Sequence, residues 1–167
     1  MSVRQREVLV NDELVGVLAE ENDLWQFDYA DQWIASVRGF DLSPFLARNQ
    51  RIIVDGASNR PVQWYFDNLL PEEALRTVIA QDAGLNAEDG FGLLAYFGAE
   101  SAGALVLRDP ANRVPAAAGP RSLSLKELNA RILNLPNASL TKDAPKRMSL
   151  AGAQHKMLCP PRRQRPV

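Results

Sequence analysis

Trp25, Phe27 and Tyr29 alternate with Gln26, Asp28 and Ala30, and this period of two constrains the chain more than any other feature. Successive side chains of a strand point to opposite faces, so the spacing puts three aromatic rings on one side of one strand. Such a strand needs neighbours and a covered face. Val8 to Val10 and Leu14 to Leu18 are β-prone runs separated by Asn11-Asp12-Glu13, which suits a hairpin turn, and Glu20 to Asp23 forms a second polar turn before the aromatic strand. Ile52 to Val54 and Val62 to Phe66 read as two further strands flanking the Asp55-Gly56 turn region, with Asp55 as a turn residue. Residues 31–50 are less regular, and Ser43-Pro44 marks a turn or a helix start. Several short strands before Asp67 predict a small curled sheet or barrel.

Helices follow. Asp67 to Glu73 reads as a helix start, with Pro71 in the first turn and Glu72-Glu73 suited to the positive helix end. Leu75, Val78 and Ile79 form an apolar stripe that Gly84 stops. A second helix is expected from near Glu88 to Phe97, with Leu94 and Phe97 toward the core and Gly98 as its stop, then a strand from Gly103 to Leu107 ended by Asp109-Pro110. Residues 110–121 hold three prolines, four alanines and one glycine, the composition of a linker. Beyond it, Ser124-Leu125-Lys126-Glu127 matches a capping box, and Leu125, Leu128, Ile132 and Leu133 give a short helix its apolar face. The fold class is therefore α+β: a β-rich N-terminal subdomain with packed helices, then a linker and a further helix. Trp25, Phe27 and Tyr29 are assigned to the core, and Trp64, Tyr65 and Phe66 are shared between core and a packing surface.

Composition excludes several functional classes. Hydrophobic residues make up 46% and charged residues 23%, as in ordinary globular domains. No apolar run is long enough to cross a bilayer, and the polar start of the chain does not read as a secretory signal, so a cytoplasmic protein is expected, with no membrane partner. Cys159 and His155 are the sole residues of their types, which removes an internal disulfide and most histidine or zinc chemistry. The net charge of −1 conceals an asymmetry: residues 1–141 carry 12 Lys/Arg against 19 Asp/Glu, whereas residues 142–167 carry 7 Lys/Arg and the single acid Asp143. A solvated basic tail accounts for this, and an anion-binding segment is the alternative. No aromatic residue follows Phe97, which removes a base-stacking platform, so nucleotide phosphate suits the tail better and direct nucleic-acid binding is not expected.

The stretch from Lys146 to Lys156 is the most informative for chemistry. Ala151, Gly152 and Ala153 let backbone amides approach a ligand closely, and consecutive amides in such a turn make a concave anion site, with Arg147 and Lys156 adding positive charge. The pattern is neither a Walker A loop nor GxGxxG. On the residues alone, a strand-turn-strand corner at Gly152 is the competing reading, and Ser149 reads equally as an ordinary strand serine.

Ser149-Leu150-Ala151-Gly152-Ala153-Gln154-His155-Lys156 closely resembles the S-[LI]-A-G-A-Q-x-K signature of the HipA-like serine/threonine kinases, toxins of bacterial toxin–antitoxin pairs. Three upstream segments resemble family features in the same order. These are Val15-Gly16-Val17-Leu18 with Trp25 to Tyr29, Phe66-Asp67-Asn68-Leu69-Leu70-Pro71-Glu72 with Arg76, and Leu93-Leu94 through Gly98 with Ala102-Gly103-Ala104-Leu105. The resemblance implies a nucleotide-binding loop at Ala151, Gly152, Ala153, Gln154, His155 and Lys156, a regulatory phosphorylated serine at Ser149, and ATP with magnesium as cofactors. It also implies a protein substrate, an aminoacyl-tRNA synthetase in the best-known members, and a helix-turn-helix antitoxin as partner. The domains then read as an N-terminal HipA-like subdomain at 1–109, the linker at 110–121, the start of a kinase N-lobe at 122–158 and a disordered basic tail at 159–167.

Phosphoryl transfer further needs an aspartate to position the hydroxyl and carboxylate or amide ligands for magnesium. No acid or asparagine follows Lys156, and the acids between Asp109 and the loop are Glu127 and Asp143 alone. Asp67, Glu72 and Glu73 are explained by dipole and capping roles, and Glu100 stands alone in a turn. No catalytic residue and no metal ligand is therefore assigned. The chain is expected to be a C-terminally truncated kinase fragment, inactive alone. The alternative is a non-enzymatic, antitoxin-like partner of a split kinase, docked on a separate kinase core lobe.

Overall fold

The computed structural model describes residues 3–98, 104–111 and 124–134. Strand β1 (Arg4–Val10) turns into β2 (Glu13–Glu21) through Asn11 and Asp12, and β2 turns into β3 (Leu24–Tyr29) through Asn22 and Asp23. All four turn residues have positive φ, between 48° and 64°. Asn and Asp enter the left-handed region more readily than other side chains, and a two-residue turn with both φ positive matches the twist of antiparallel strands. These two pairs fix both hairpins. β4 (Ile52–Val54) joins the free side of β3, and β5 (Leu105–Arg108) returns to pair with β1. The strand order is β4-β3-β2-β1-β5, antiparallel throughout. The short strands β4 and β5 stand at opposite edges, so among the described residues the sheet is open; of the expected curled sheet or barrel, the barrel is corrected to a five-stranded open sheet.

Val8 pairs with Gly16 and Leu9 with Leu14, so Val15 is an extra residue in β2. This bulge interrupts the strict alternation and lets Val15 and Leu18, three apart, both be fully buried. Trp25, Phe27 and Tyr29 face the core as expected, each at most 2% exposed. Phe27 packs edge-on against Tyr29 (centroids 4.8 Å apart) and tilted against Phe66 (5.6 Å), and Trp25 meets Phe91 edge-on at 5.3 Å. Tyr29 also holds the loop that follows helix α1 (Asp31–Ala35): its hydroxyl donates to the Leu46 carbonyl and accepts from the Leu42 amide. Ser43 forms the expected turn, its Oγ accepting from the amides of Phe45 and Leu46.

The segment Val62 to Phe66 is helical, not a strand. It lies in α2 (Pro61–Asp67), with proline at the first helical positions, where its missing N–H and fixed φ suit a helix. In a strand, Val62, Trp64 and Phe66 would share a face. Instead Val62 and Phe66, one helical turn apart, are fully buried while Trp64 is 57% exposed. Asp55 is not a plain turn residue either. It is 3% exposed, and its two oxygens accept from the amides of Val62 (2.8 Å) and Gln63 (2.9 Å). The carboxylate thus caps α2 from six residues before its start, a role that sequence-adjacent capping rules do not detect.

α3 (Glu73–Ala83) begins later than expected. Pro71 lies before it, and Glu72 is its N-cap without a side-chain capping bond. Asp67 is the last residue of α2, not part of a helix start. Gly84 ends α3 at φ 67°, the left-handed position that glycine occupies without a side-chain penalty. α4 (Gly90–Phe97) is capped by Asp89, which accepts from the Gly92 amide, and buries Phe91, Leu93 and Leu94 against the sheet. α5 (Leu125–Leu133) carries the expected capping box between Ser124 and Glu127, but it buries no residue, and Leu125 and Leu133 are 84% and 76% exposed. Glu100, the start of the expected strand at Gly103, most of the linker and the whole of 135–158 fall outside the described residues.

Gly16 is required by close approach. A Cβ there would lie 2.3 Å from the Asp28 carbonyl oxygen and 2.7 Å from the tip of the Phe27 ring. We expect Gly16→Ala to lower stability by about 1–3 kcal/mol in urea denaturation, with Phe27→Leu partly relieving the clash. At Asp55, burial outweighs the two amide hydrogen bonds and nearby Arg60 and pushes the carboxyl above its usual range. The folded protein then keeps this proton to higher pH than the unfolded chain. The group's contribution is complete below the unfolded pKa and declines as pH rises through the folded one. Asp55→Ala is expected to cost about 1 kcal/mol near neutrality, and the wild-type margin is expected to widen as pH is lowered through the folded pKa.

Candidate functional site

The residues assigned to nucleotide binding, Ala151 to Lys156, and the serine assigned to regulation, Ser149, lie outside the described residues. The three upstream segments that accompany them are described except for residues 99–103, and the described part of each performs a packing task. The first is the β2–β3 hairpin, where the missing side chain of Gly16 admits the Phe27 ring. The second is a clamp. Arg76 on α3 donates through Nη1 and Nη2 to both oxygens of Asp67 (2.9 and 2.8 Å) and through Nε to the Ala87 carbonyl at 2.7 Å. One guanidinium thereby ties the end of α2 to the loop before α4, and the paired carboxylate holds it above the ordinary arginine pKa despite partial burial. Gly90 packs so closely that a Cβ would meet the Asp67 carboxylate at 2.5 Å. The third segment runs from the core residues Leu93 and Leu94 in α4 to Leu105 in β5, with Gly98 against Leu107.

Clefts open on two parts of the described surface, among others. One, about 640 Å³, lies between the first half of β1 and α4. One wall carries Arg4 and Arg6, two apart on the strand and therefore on one face, and the other carries Phe91, Ala95 and Tyr96. Arg4 bridges Glu20 (2.7 Å) and Asp89 (2.9 Å) and sits 4.9 Å from the centroid of Phe91. Partial burial opposes its charge, but the two carboxylates outweigh that and hold its pKa above the usual arginine range. Arg6 differs. Its Nη1 contacts its neighbour's carbonyl at Gln5 (2.6 Å) and the Asp109 carboxylate (3.3 Å), while its Nε is enclosed and unpartnered among the described residues. The second cleft, about 470 Å³, is lined by Trp33 and Leu14 with the ion pairs Arg38–Glu13 and Arg108–Glu7 at its rim. Sequence reading did not find the first cleft. The available signal was the Arg4/Arg6 alternation together with the helix-capping Asp89.

The described residues do not suit a magnesium–nucleotide site. Asp67 is taken by Arg76, Asp89 by Arg4 and the Gly92 amide, and Asp55 by two α2 amides. Among the described residues no group of three or more His, Cys, Asp or Glu side chains converges as metal ligands would. No described helix is long and apolar enough to cross a membrane.

Comparison with known proteins agrees with this architecture. A Sinorhizobium fredii (strain NBRC 101917 / NGR234) protein named "Putative kinase Y4mE" is 34% identical over 166 residues, which cover 94% of this chain and 38% of that protein. Among solved structures, a chain of the Shewanella oneidensis MR-1 toxin–antitoxin complex of HipA, HipB and operator DNA superposes with a TM-score of 0.64 at 24% identity, over 77% of this chain and 29% of that one. At that identity the likeness concerns the fold. This chain spans well under half the length of either protein. Residues 6–108, more than half of the sequence, match the family described as the HipA N-terminal domain. The match runs from β1 to the end of β5, the whole sheet and the helices that cover it, and the chain belongs to that family.

Proposed function

We propose that this chain is the N-terminal module of a HipA-like protein serine/threonine kinase. In this reading Ala151, Gly152, Ala153, Gln154, His155 and Lys156 form the phosphate-facing loop, Ser149 is the regulatory phosphorylation position, and the chain alone transfers no phosphate. The supporting observation is the order along the chain: the HipA N-terminal domain at 6–108 is followed by the loop signature at 149–156. Small residues bring amides toward a triphosphate, and Lys156 adds charge. ATP and magnesium belong to the complete kinase, where phosphoryl transfer needs metal-holding carboxylates, whereas Asp67 and Asp89 in this chain are engaged in packing. The proposed setting is the cytoplasm, with a helix-turn-helix antitoxin as partner, as HipB is found with the Shewanella HipA.

A second reading, a non-enzymatic partner of a separate kinase core lobe, is favoured by one observation. The described surface leaves Phe45, Trp64, Leu125 and Leu133 between 57% and 84% exposed, as expected of a part whose packing surface is uncovered. The two readings share one experiment. The purified chain is tested for transfer of labelled phosphate from ATP and titrated with ATP, alone and after co-expression with a separate HipA-type core lobe. We expect no transfer by the chain alone, weak ATP binding, and a loss of roughly tenfold, about 1.4 kcal/mol, in Gly152→Val. Ser149→Asp, which places a carboxylate beside the loop, is expected to weaken ATP as well. Unaltered binding in both variants removes the loop assignment. Stable co-purification with the core lobe supports the second reading.

A further inference from the structure

We infer that the cleft between β1 and α4 is a docking groove for an extended peptide that carries an acidic side chain. The argument starts from strand length. β1 spans Arg4–Val10, but β5 pairs only with Glu7 to Val10, so the Arg4–Arg6 half has no partner on that side among the described residues. The direction of its backbone groups follows from the hairpin. Val10 and Glu13 flank a two-residue turn, so they exchange both hydrogen bonds, and the alternation along β1 aims even-numbered residues at β2 and odd-numbered residues at the β5 side. Gln5 therefore presents its N–H and C=O to the cleft. The carbonyl is accordingly free to accept from Arg6 Nη1 at 2.6 Å, a contact that a β2-facing carbonyl would not make. An incoming strand takes the place that β5 vacates at Arg108, and strand addition to an open edge is an established mode of peptide recognition.

Arg6 supplies the chemical preference. Its Nε has no partner among the described residues and no exposure, and an unmet buried donor is costly. Rotation of its guanidinium away from Gln5 does two things together. It frees the Gln5 carbonyl for an incoming amide, and it offers the Nε/Nη fork to a carboxylate, the geometry that guanidinium prefers. Arg4 cannot serve in this way because Glu20 and Asp89 already hold it. Asp109, 3.3 Å from Arg6 Nη1, is the acid that the peptide's carboxylate replaces. Across the cleft, Ala95 and Tyr96, both half-buried, face side chains on the inward face of the added strand.

The test uses the whole 167-residue chain, isotope-labelled, titrated with a capped pentapeptide alternating valine and glutamate to about 1 mM, a weak-affinity range. A control peptide carries lysine for glutamate. Amide shifts are expected for Val3 to Arg6 and for Gly92 to Tyr96, with the lysine peptide at least about tenfold weaker. Gln5→Pro removes the edge donor without touching the β1–β2 ladder, and Arg6→Gln removes the fork. Each is expected to abolish the shifts while keeping the wild-type unfolding temperature. Absence of shifts, an equal response to the lysine peptide, or shifts centred on β4 overturns the inference. Absence of shifts includes the case in which the chain's own residues fill the groove. Phosphate transfer is not read in this experiment, so its result is independent of the kinase reading.

Discussion

The approach of Phe27 to Gly16 is the contact on which the rest of the molecule depends. β3 is the one strand with partners on both sides that also carries three buried aromatic rings, and its central ring lies over a backbone position without a side chain. That vacancy lets Phe27 sink into the sheet and meet Tyr29 and Phe66 at once. Phe66 belongs to α2, whose start is held by Asp55 at the end of β4, and whose end is tied by Asp67 to Arg76 on α3. The aromatic contact thus passes from sheet to helix, and the polar contacts pass it from helix to helix. Interiors pack nearly as densely as organic crystals, so a displaced ring at β3 cannot be absorbed locally.

The motifs that resemble a kinase family proved to be structural wherever they are described. Asp67 and Arg76 form a two-point ion pair that also satisfies a carbonyl. A lysine at 76 would supply charge without the planar fork that joins both oxygens. The glycine, the leucines and the aromatics in the other segments fill or line the core. Such residues mark a fold more faithfully than they mark chemistry, because they encode which elements can touch. The surface of the described residues carries an open strand edge, a cleft in which Arg6 leaves its Nε unpartnered, and apolar side chains on α2 and α5 that face outward.

Local signals carried much of the fold. The period-two aromatics, the glycine stops at 84 and 98 and the capping box at Ser124 appear where they were read, and the two hairpin turns fall within the segments read as turns but are shorter, Glu13, Glu20 and Glu21 belonging to β2. Each of these depends on neighbours within a few residues. The readings that changed depend on distance. Val62 to Phe66 has the composition of a strand, and Pro61 together with a carboxylate six residues upstream turns it into a helix. Asp67 has the look of a cap and is an ion-pair partner of a residue nine positions away. The cleft was illegible because it joins residues more than eighty positions apart, as the Arg4–Asp89 contact shows.

The amino-acid sequence by itself determined the element types with strong local rules and the motif that carries the family resemblance at 149–156, since periodicity, turn chemistry and motif spacing are properties of short stretches. Only the tertiary structure decided that the sheet stays open, which carboxylates are committed to packing, and which half of β1 is left without a strand beside it. Those outcomes follow from strand lengths and from contacts between remote segments: β5 is three residues shorter than β1, and no local rule in either strand says how far their pairing runs.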